Sequence, residues 1–538
     1  MTPTIERDEY DWICVGSGAA GLAGALTAGL QGARVLVLEK ADRLGGGTAY
    51  SYGAMWAGAN PFQARAGIDD DLDRAETYLR WLSGGFADDR RLLRLCREAG
   101  PTLAYFSEHG IGFRVIRNLP DHYYPTAPGS VREGRDVEVV PLARSEVGLP
   151  EEHIEEAPYL PPGVSWSDAI AWGGTGRQHS WNPAEVAARA HLYAAGQGLA
   201  AALLRRCRET GVELVRGIGL ARLLVEDGRV AGIEAIERGK ATQVRSRAGV
   251  LLATGGYEAN PRLVRAYEAF PDQPNHFTAG AAGDGLIAAA EIGALVSVMP
   301  MKLQVMLGYV VPDSEHGFRS AGIQELAVPH TIVVNSKGRR FTDESFFQDT
   351  QARLRVFDVY AHRYANLPCY LIFDAQFAAK GSFCGHAPGA PIPDWVTSAA
   401  TPGQLAARLG IDPDGLESTL DTFNVNAATG EDPDFHRGGL SWAQLAGDSS
   451  SGANPNLGTV EREPFYGVEL LPSGTAAAGL AADDRGRVLH VRGHAIPGLF
   501  AAGNVATCTE YGAGFQAGLT LMSGLVFGRQ AALTALKQ

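Results

Sequence analysis

WICVGSGAAGL (Trp12 to Leu22) and RVLVLEK (Arg34 to Lys40) decide the fold. Trp12 to Val15 reads as a short buried strand, Leu22 to Leu30 as an apolar helix, and RVLVLEK as a second buried strand. Between the first strand and the helix stands Gly16-Ser17-Gly18-Ala19-Ala20-Gly21, a G-x-G-x-x-G turn. The glycines there allow a tight turn, close approach of backbone to a pyrophosphate, and close helix–strand packing. The helix N-terminus adds N–H donors and partial positive charge for the phosphates. Glu39 follows Gly21 by 18 residues and closes the second strand, where a carboxylate holds ribose hydroxyls. A carboxylate would repel a 2′-phosphate, which argues against NADP. LGGGTAYS (Leu44 to Ser51) supplies a second glycine loop and favours a flavin over free nicotinamide.

Further along, ARLLVEDGRVAGIEAI reads as a strand pair turning at Asp227-Gly228. AGVLLATGG (Ala248 to Gly256) is another buried strand running into glycines. From about Leu303 to Asp448 the texture changes to mixed strands, short helices and polar loops, which reads as a separate lobe, with Ser449 to Asn456 as its exit linker. From Gly498 the opening style returns, as the strand LFAAG, a glycine loop and a long apolar helix.

The 538 residues are too many for one ordinary core, and 45% hydrophobic with 20% charged residues is the balance of a soluble globular protein. A formal charge of −13 argues against nucleic acid as the main partner. Cys14, Cys96, Cys207, Cys369, Cys384 and Cys508 form no C-x-x-C pair, so neither a disulfide framework nor a zinc site is expected. No run of 18 apolar residues and no signal-peptide core is present, and the expected location is a reduced cytoplasm.

The chain resembles a known family, the FAD enzymes related to fumarate reductase and the 3-ketosteroid dehydrogenases. The likeness rests on Gly16 to Gly21, Glu39-Lys40, GGGTAYS, LLATGGYEAN, AAGDG (Ala281 to Gly285), TIVVNSKGRRFTDES and GLFAAGNVATCTEYGAGFQAG. The resemblance implies an α/β protein: a Rossmann-like FAD-binding domain built from both chain ends (1–300 and 457–538), with an inserted α+β catalytic domain (301–456). It implies FAD contacts at Gly16, Gly18, Ala19, Ala20, Gly21, Glu39, Lys40, Gly46, Gly47, Thr48, Ala49, Ala253, Thr254, Gly255, Asp284, Gly503, Asn504, Gly518 and Leu519. Some relatives attach the flavin through a His in the second glycine loop. Thr48 and Ala49 occupy that loop here, so noncovalent FAD is expected.

The relatives divide by what holds the substrate oxygen. The fumarate-type reductases place a proton-delivering Arg four residues after the Glu of an R-F-x-x-E element. Here that element is Arg340 to Glu344, and the residue four on is Gln348. Their carboxylate-binding His has no counterpart in LPSGTAAAGL (Leu471 to Leu480), and Arg353 and Arg355 read as cover for a helix surface. The ketosteroid type uses tyrosines, one in a P-D-Y-Y loop and one before the terminal glycine turn. This chain has PDHYYPTAPG (Pro120 to Gly129) and Glu510-Tyr511-Gly512-Ala513-Gly514. The resemblance therefore implies dehydrogenation of a cyclic ketone, cyclohexanone-like or a 3-ketosteroid, to the α,β-unsaturated ketone. Tyr123 or Tyr124 would take the α-proton, with a phenol that ionises more readily than free tyrosine. Tyr511 O–H and Gly514 N–H would hold the carbonyl oxygen.

The pattern departs from the family in two places. The terminal motif is shifted by one residue, and the further Tyr that follows the family's N-E-S is replaced by Phe346, Phe347 and Gln348. Tyr309 is a further candidate pocket phenol. His122 is expected at the surface. His179, Trp172 and Trp181 line the pocket or pack, with a helix starting at Asn182-Pro183. An enone or enoate reductase and a non-catalytic flavin-binding redox sensor are the alternatives, and the sequence names no electron acceptor.

Overall fold

The computed structural model describes residues 5–157, 161–175, 181–237, 239–302, 305–312, 317–320 and 325–537. It opens with a strand β1 (Glu9–Val15), a helix α1 (Ala19–Leu30) and a strand β2 (Val35–Glu39). β1 and β2 run parallel, with Trp12 opposite Val35 and Cys14 opposite Val37. Lys240–Leu252 lies on the other side of β1, also parallel, then Ala495–Ala501, while Glu213–Arg216 extends the sheet beyond β2. Five parallel strands thus run side by side in this sheet, with Glu213–Arg216 at its edge. The hairpin Ile218–Glu226/Arg229–Glu237 pairs onto Lys240–Leu252. Its turn residues Asp227 (φ 48°) and Gly228 (φ 75°) both take positive φ, which suits a tight two-residue hairpin.

Both faces of this sheet are covered, which explains why its strands are apolar without alternation. One face packs α1 and the C-terminal helix Leu519–Ala535. The two helices meet through glycine and alanine: a Cβ on Gly528 would lie 2.2 Å from the Ala20 carbonyl oxygen. Leu22 and Leu26 of α1 are fully buried at this seam, each stabilising the fold by about 1.5–3 kcal/mol.

The lobe is a second, antiparallel sheet in the order Phe318–Ser320, Val305–Val310, Phe465–Gly474, Cys369–Asp374, Thr331–Asn335, with Thr397–Ala399 also on Phe465–Gly474. Phe465–Gly474 therefore belongs with the lobe, although the expected boundary at 457 assigned it to the FAD-binding portion. Ser449 to Asn456, expected as the exit linker, is irregular chain that leads into this lobe strand, and Asn456 is buried and donates to the Ala327 (2.6 Å) and Ala443 (2.9 Å) carbonyls. A small third sheet, Met55–Trp56, Asp136–Val139 and Phe113–Val115, carries the loop that holds the paired tyrosines. Where loop and lobe meet, Ile116, Leu119, Phe346 and Trp442 form one apolar cluster with Tyr123 against it.

Candidate active site

The expected cofactor residues converge at the carboxyl ends of the parallel strands. Gly16 has φ 109°, and a Cβ there would lie 2.3 Å from the Ala253 oxygen. A Cβ on Gly21 would lie 1.9 Å from the Gly16 oxygen, so helix and strand touch as the fingerprint requires. The Ala19 N–H donates to Thr48 Oγ1 (2.8 Å), tying α1 to the second glycine loop. Ala20, Ala49, Ala253 and Leu519 are buried around this seam, and Gly46 takes positive φ.

Glu39 Oε2 accepts from Ser17 N–H (3.1 Å) and Ser17 O–H (2.7 Å), and Oε1 accepts from Ala41 N–H (3.0 Å). A carboxylate has about four acceptor positions, so one is left for a ribose hydroxyl. Lys40 Nζ lies 2.6 Å from Asp284 Oδ2 and closes the rim.

Three observations test whether this cradle fits FAD. A Cβ on Gly47 or on Gly255 would meet nothing within 4 Å, so both backbones face open space. The buried Thr254 Oγ1 has no partner among the described residues. Gly18 and Gly503 are bordered only by Thr48 Oγ1 and Ala20 Cβ respectively, with Asn504 next in the chain, and Gly518 (φ 84°) starts the C-terminal helix. Open backbone, an unpartnered hydroxyl and a helix N-terminus suit an elongated dinucleotide.

The loop Pro120 to Gly129 is held from beneath. Asp121 accepts from Trp56 Nε1–H (2.8 Å), Val131 N–H (2.9 Å) and Arg135 (2.8 Å). Gln516 Oε1, in the terminal glycine turn, accepts from His122 N–H (2.8 Å) and Tyr78 O–H (2.7 Å). Tyr123 is half-buried, its ring 4.9 Å from Trp81 and 5.0 Å from Phe346. Burial, aided by the Asp349 charge, raises its phenol above the ordinary range. This is opposite to the easier ionisation expected of a base. Tyr124 fixes the loop through its backbone, donating to Asp121 O and accepting from Ser441 N–H.

His122 corrects the sequence reading. It is completely buried, its ring 4.1 Å from Trp442 and 5.5 Å from Phe515, with Phe346 and Phe347 edge-on. Its Nε2 accepts from Ala517 N–H (3.2 Å), and its Nδ1 meets the Gln348 side chain. Burial pushes the imidazole down to about 3, so it is neutral. Sequence reasoning missed both His122 and Gln348, whose burial depends on three segments far apart in the chain.

Gln348 rides on helix Phe347–Leu354, launched by a buried ion cluster. Arg340 bridges Glu344 (2.6 Å) and Asp432 (2.9 Å), Arg437 lies 3.4 Å from Glu344, and Ser345 O–H caps Asp343. Arg353 pairs with Asp349 on the exposed side of that helix, and Arg355 binds the Pro300 carbonyl.

The other two candidate phenols have partners of their own. Tyr511 is buried in the apolar cluster that packs α1 and the C-terminal helix, with its hydroxyl 3.3 Å from Thr520 Oγ1, and Gly514 packs its Cα on Leu82. Tyr309 donates to Glu325 (2.8 Å) and stacks on Phe383 inside the lobe; burial pushes that Glu up to about 7. Trp172 and Trp181 pack against each other at 5.4 Å, and Asn182-Pro183 do start a helix. His179 lies outside the described residues.

Among the described residues no His, Cys, Asp and Glu group suits a metal ion, and no helix is long and apolar enough to cross a membrane. Residues 11–518 match the FAD binding domain family. The chain belongs to that family. The flavoprotein is 34% identical to the 4-oxocyclohexanecarboxylate 2-dehydrogenase of Sinomonas cyclohexanicum, across 99% of this chain and 94% of the relative. It is 33% identical to a 3-oxosteroid 1-dehydrogenase of Mycolicibacterium smegmatis, across 98% and 97%. Among solved structures it superposes on the 3-ketosteroid delta1-dehydrogenase of Sterolibacterium denitrificans, in complex with 1,4-androstadiene-3,17-dione. That match has a TM-score of 0.89 and 27% identity, covering 99% of this chain and 100% of the other. The flavoprotein is an FAD-dependent oxidoreductase whose relatives dehydrogenate CH–CH groups beside a ketone.

Proposed function

We propose that this flavoprotein desaturates a cyclic ketone next to its carbonyl, taking a cyclohexanone-like ring or a 3-ketosteroid. One observation carries the reading: the tyrosine loop, the lobe segment Phe346 to Gln348 and the terminal turn Phe515 to Ala517 meet around His122. Aromatic rings there suit an apolar ring substrate, and the nearby arginines are committed to Asp349 and to the Pro300 carbonyl. That disfavours a dicarboxylate, which would need a free guanidinium.

Noncovalent FAD, held by the fingerprint, Glu39 and the Thr48 loop, supplies the hydride acceptor at N5. The remaining work falls to side chains. A tyrosine of the loop accepts the α-proton while hydrogen-bond donors hold the developing enolate oxygen. Tyr123 is the candidate base because its ring shares Phe346 with His122, and Tyr124 fixes the loop backbone. Tyr511 turns its hydroxyl to Thr520, and in this reading Gly514 N–H donates to the substrate oxygen.

Anaerobic mixing of the oxidised holoprotein with cyclic ketones tests the reading. Bleaching by ketone, and not by succinate, is expected. Reoxidation of reduced flavin by fumarate with no response to ketones would favour the reductase alternative, and silence toward every compound the sensor alternative.

A further inference from the structure

His122 Nε2 accepts a backbone N–H from Ala517, so a neutral ring must carry its proton on Nδ1. Nδ1 faces the Gln348 carboxamide through the amide nitrogen, donor against donor. The other end of the amide, Oε1, is buried and has no partner among the described residues. Turning the amide over, which its two nearly equal ends allow, removes the donor–donor clash and gives Oε1 a partner. Oε1 then accepts Nδ1–H, and the NH2 group becomes the buried end without a protein partner. Gln348 is 2% exposed, follows Phe347, whose ring packs on Trp442 and Phe515, and is joined through His122 to Ala517 in the turn that precedes Gly518.

We propose that Gln348 is a catalytic hydrogen-bond donor: its NH2 group binds the ketone oxygen of the substrate, with His122 as the positioning residue that fixes the amide. This rests on the ketone-dehydrogenase reading of the same site. A carboxamide donor suits an oxygen that is neutral in the ketone and gains negative charge as the α-proton leaves, and it needs no compensating charge while the site is empty. A neutral His122 holds the amide in one orientation across the pH range in which the ring is unprotonated.

The test uses a probe besides turnover. 4-Cyanophenol, planar and oxyanionic when ionised, mimics the enolate and is titrated spectroscopically against oxidised holoprotein at several pH values. In the wild type its ionisation is expected at lower pH when bound than when free. Gln348→Met, nearly isosteric, should keep FAD, shift the bound phenol's ionisation back toward the free value, and slow flavin reduction by ketone roughly a hundred-fold. Gln348→Glu keeps the acceptor for His122 but removes the donor, and should abolish phenolate binding at neutral pH. Unchanged phenol ionisation and reduction within a few-fold of wild type in either FAD-loaded variant would overturn the proposal. Loss of FAD from both variants would overturn it too, since Gln348 would then serve the fold. If ketones leave the wild-type flavin oxidised, it is the function reading that fails, and the phenol titration still reads Gln348 separately.

Discussion

Tyr123 loses solvent to Trp81 and Phe346, and that raises the cost of its phenolate. A base whose phenol lies above the free value of about 10 is mostly protonated at neutral pH. Ketone-driven flavin reduction should therefore rise with pH through the neutral and alkaline range, with no plateau below about pH 10. Tyr123→Phe should be slow and flat with pH, while Tyr124→Phe stays close to wild type. A pH-independent wild type would remove the phenol from the mechanism. His122 gives a prediction of the opposite kind. Its folded value of about 3 lies below the free value of about 6.5, so the unfolded chain binds the proton first as pH falls. Stability is lost as the medium is acidified below the free value, by on the order of 2 kcal/mol at about pH 5. Urea unfolding at neutral pH and at about pH 5 should show a smaller acid loss in His122→Gln than in wild type. Equal losses would mean that the ring takes up its proton in the folded state.

At the scale of elements, α1 and the C-terminal helix are packed backbone to backbone at one seam. Gly528 has no room for a methyl group, with the Ala20 backbone oxygen 2.2 Å from an ideal Cβ. Gly528→Ala must push the helices apart, costing about 1–3 kcal/mol in urea unfolding and weakening FAD retention through the displaced N-terminus of α1. An unchanged midpoint with full flavin content would contradict this packing. The elements of the parallel sheet and its hairpin were legible because their signals are local: glycine spacing, two apolar strands and the Asp227-Gly228 turn. The lobe sheet was less so. Phe465–Gly474 pairs with Cys369–Asp374 and Val305–Val310, and alternation along a strand does not announce its partner. His122 was misjudged for the same reason, since Gln348, Trp442 and Ala517 bury it from three distant segments.

At the scale of the whole molecule, strands from both chain ends share the parallel sheet, and the lobe meets the tyrosine loop where Phe346 packs beside Ile116, Leu119 and His122. Thr48 and Ala49 offer no imidazole for attachment, so heat or acid should release intact FAD from the precipitated chain. Flavin remaining with the pellet would contradict noncovalent binding. The central claim concerns the direction and class of the reaction, and anaerobic titration of the oxidised holoprotein with 4-oxocyclohexanecarboxylate and a 3-ketosteroid tests it most directly. The account predicts that at least one ketone bleaches the visible flavin band and yields the α,β-unsaturated ketone in equal amount. A flavin left oxidised by every ketone, yet reoxidised by enone after chemical reduction, would contradict it.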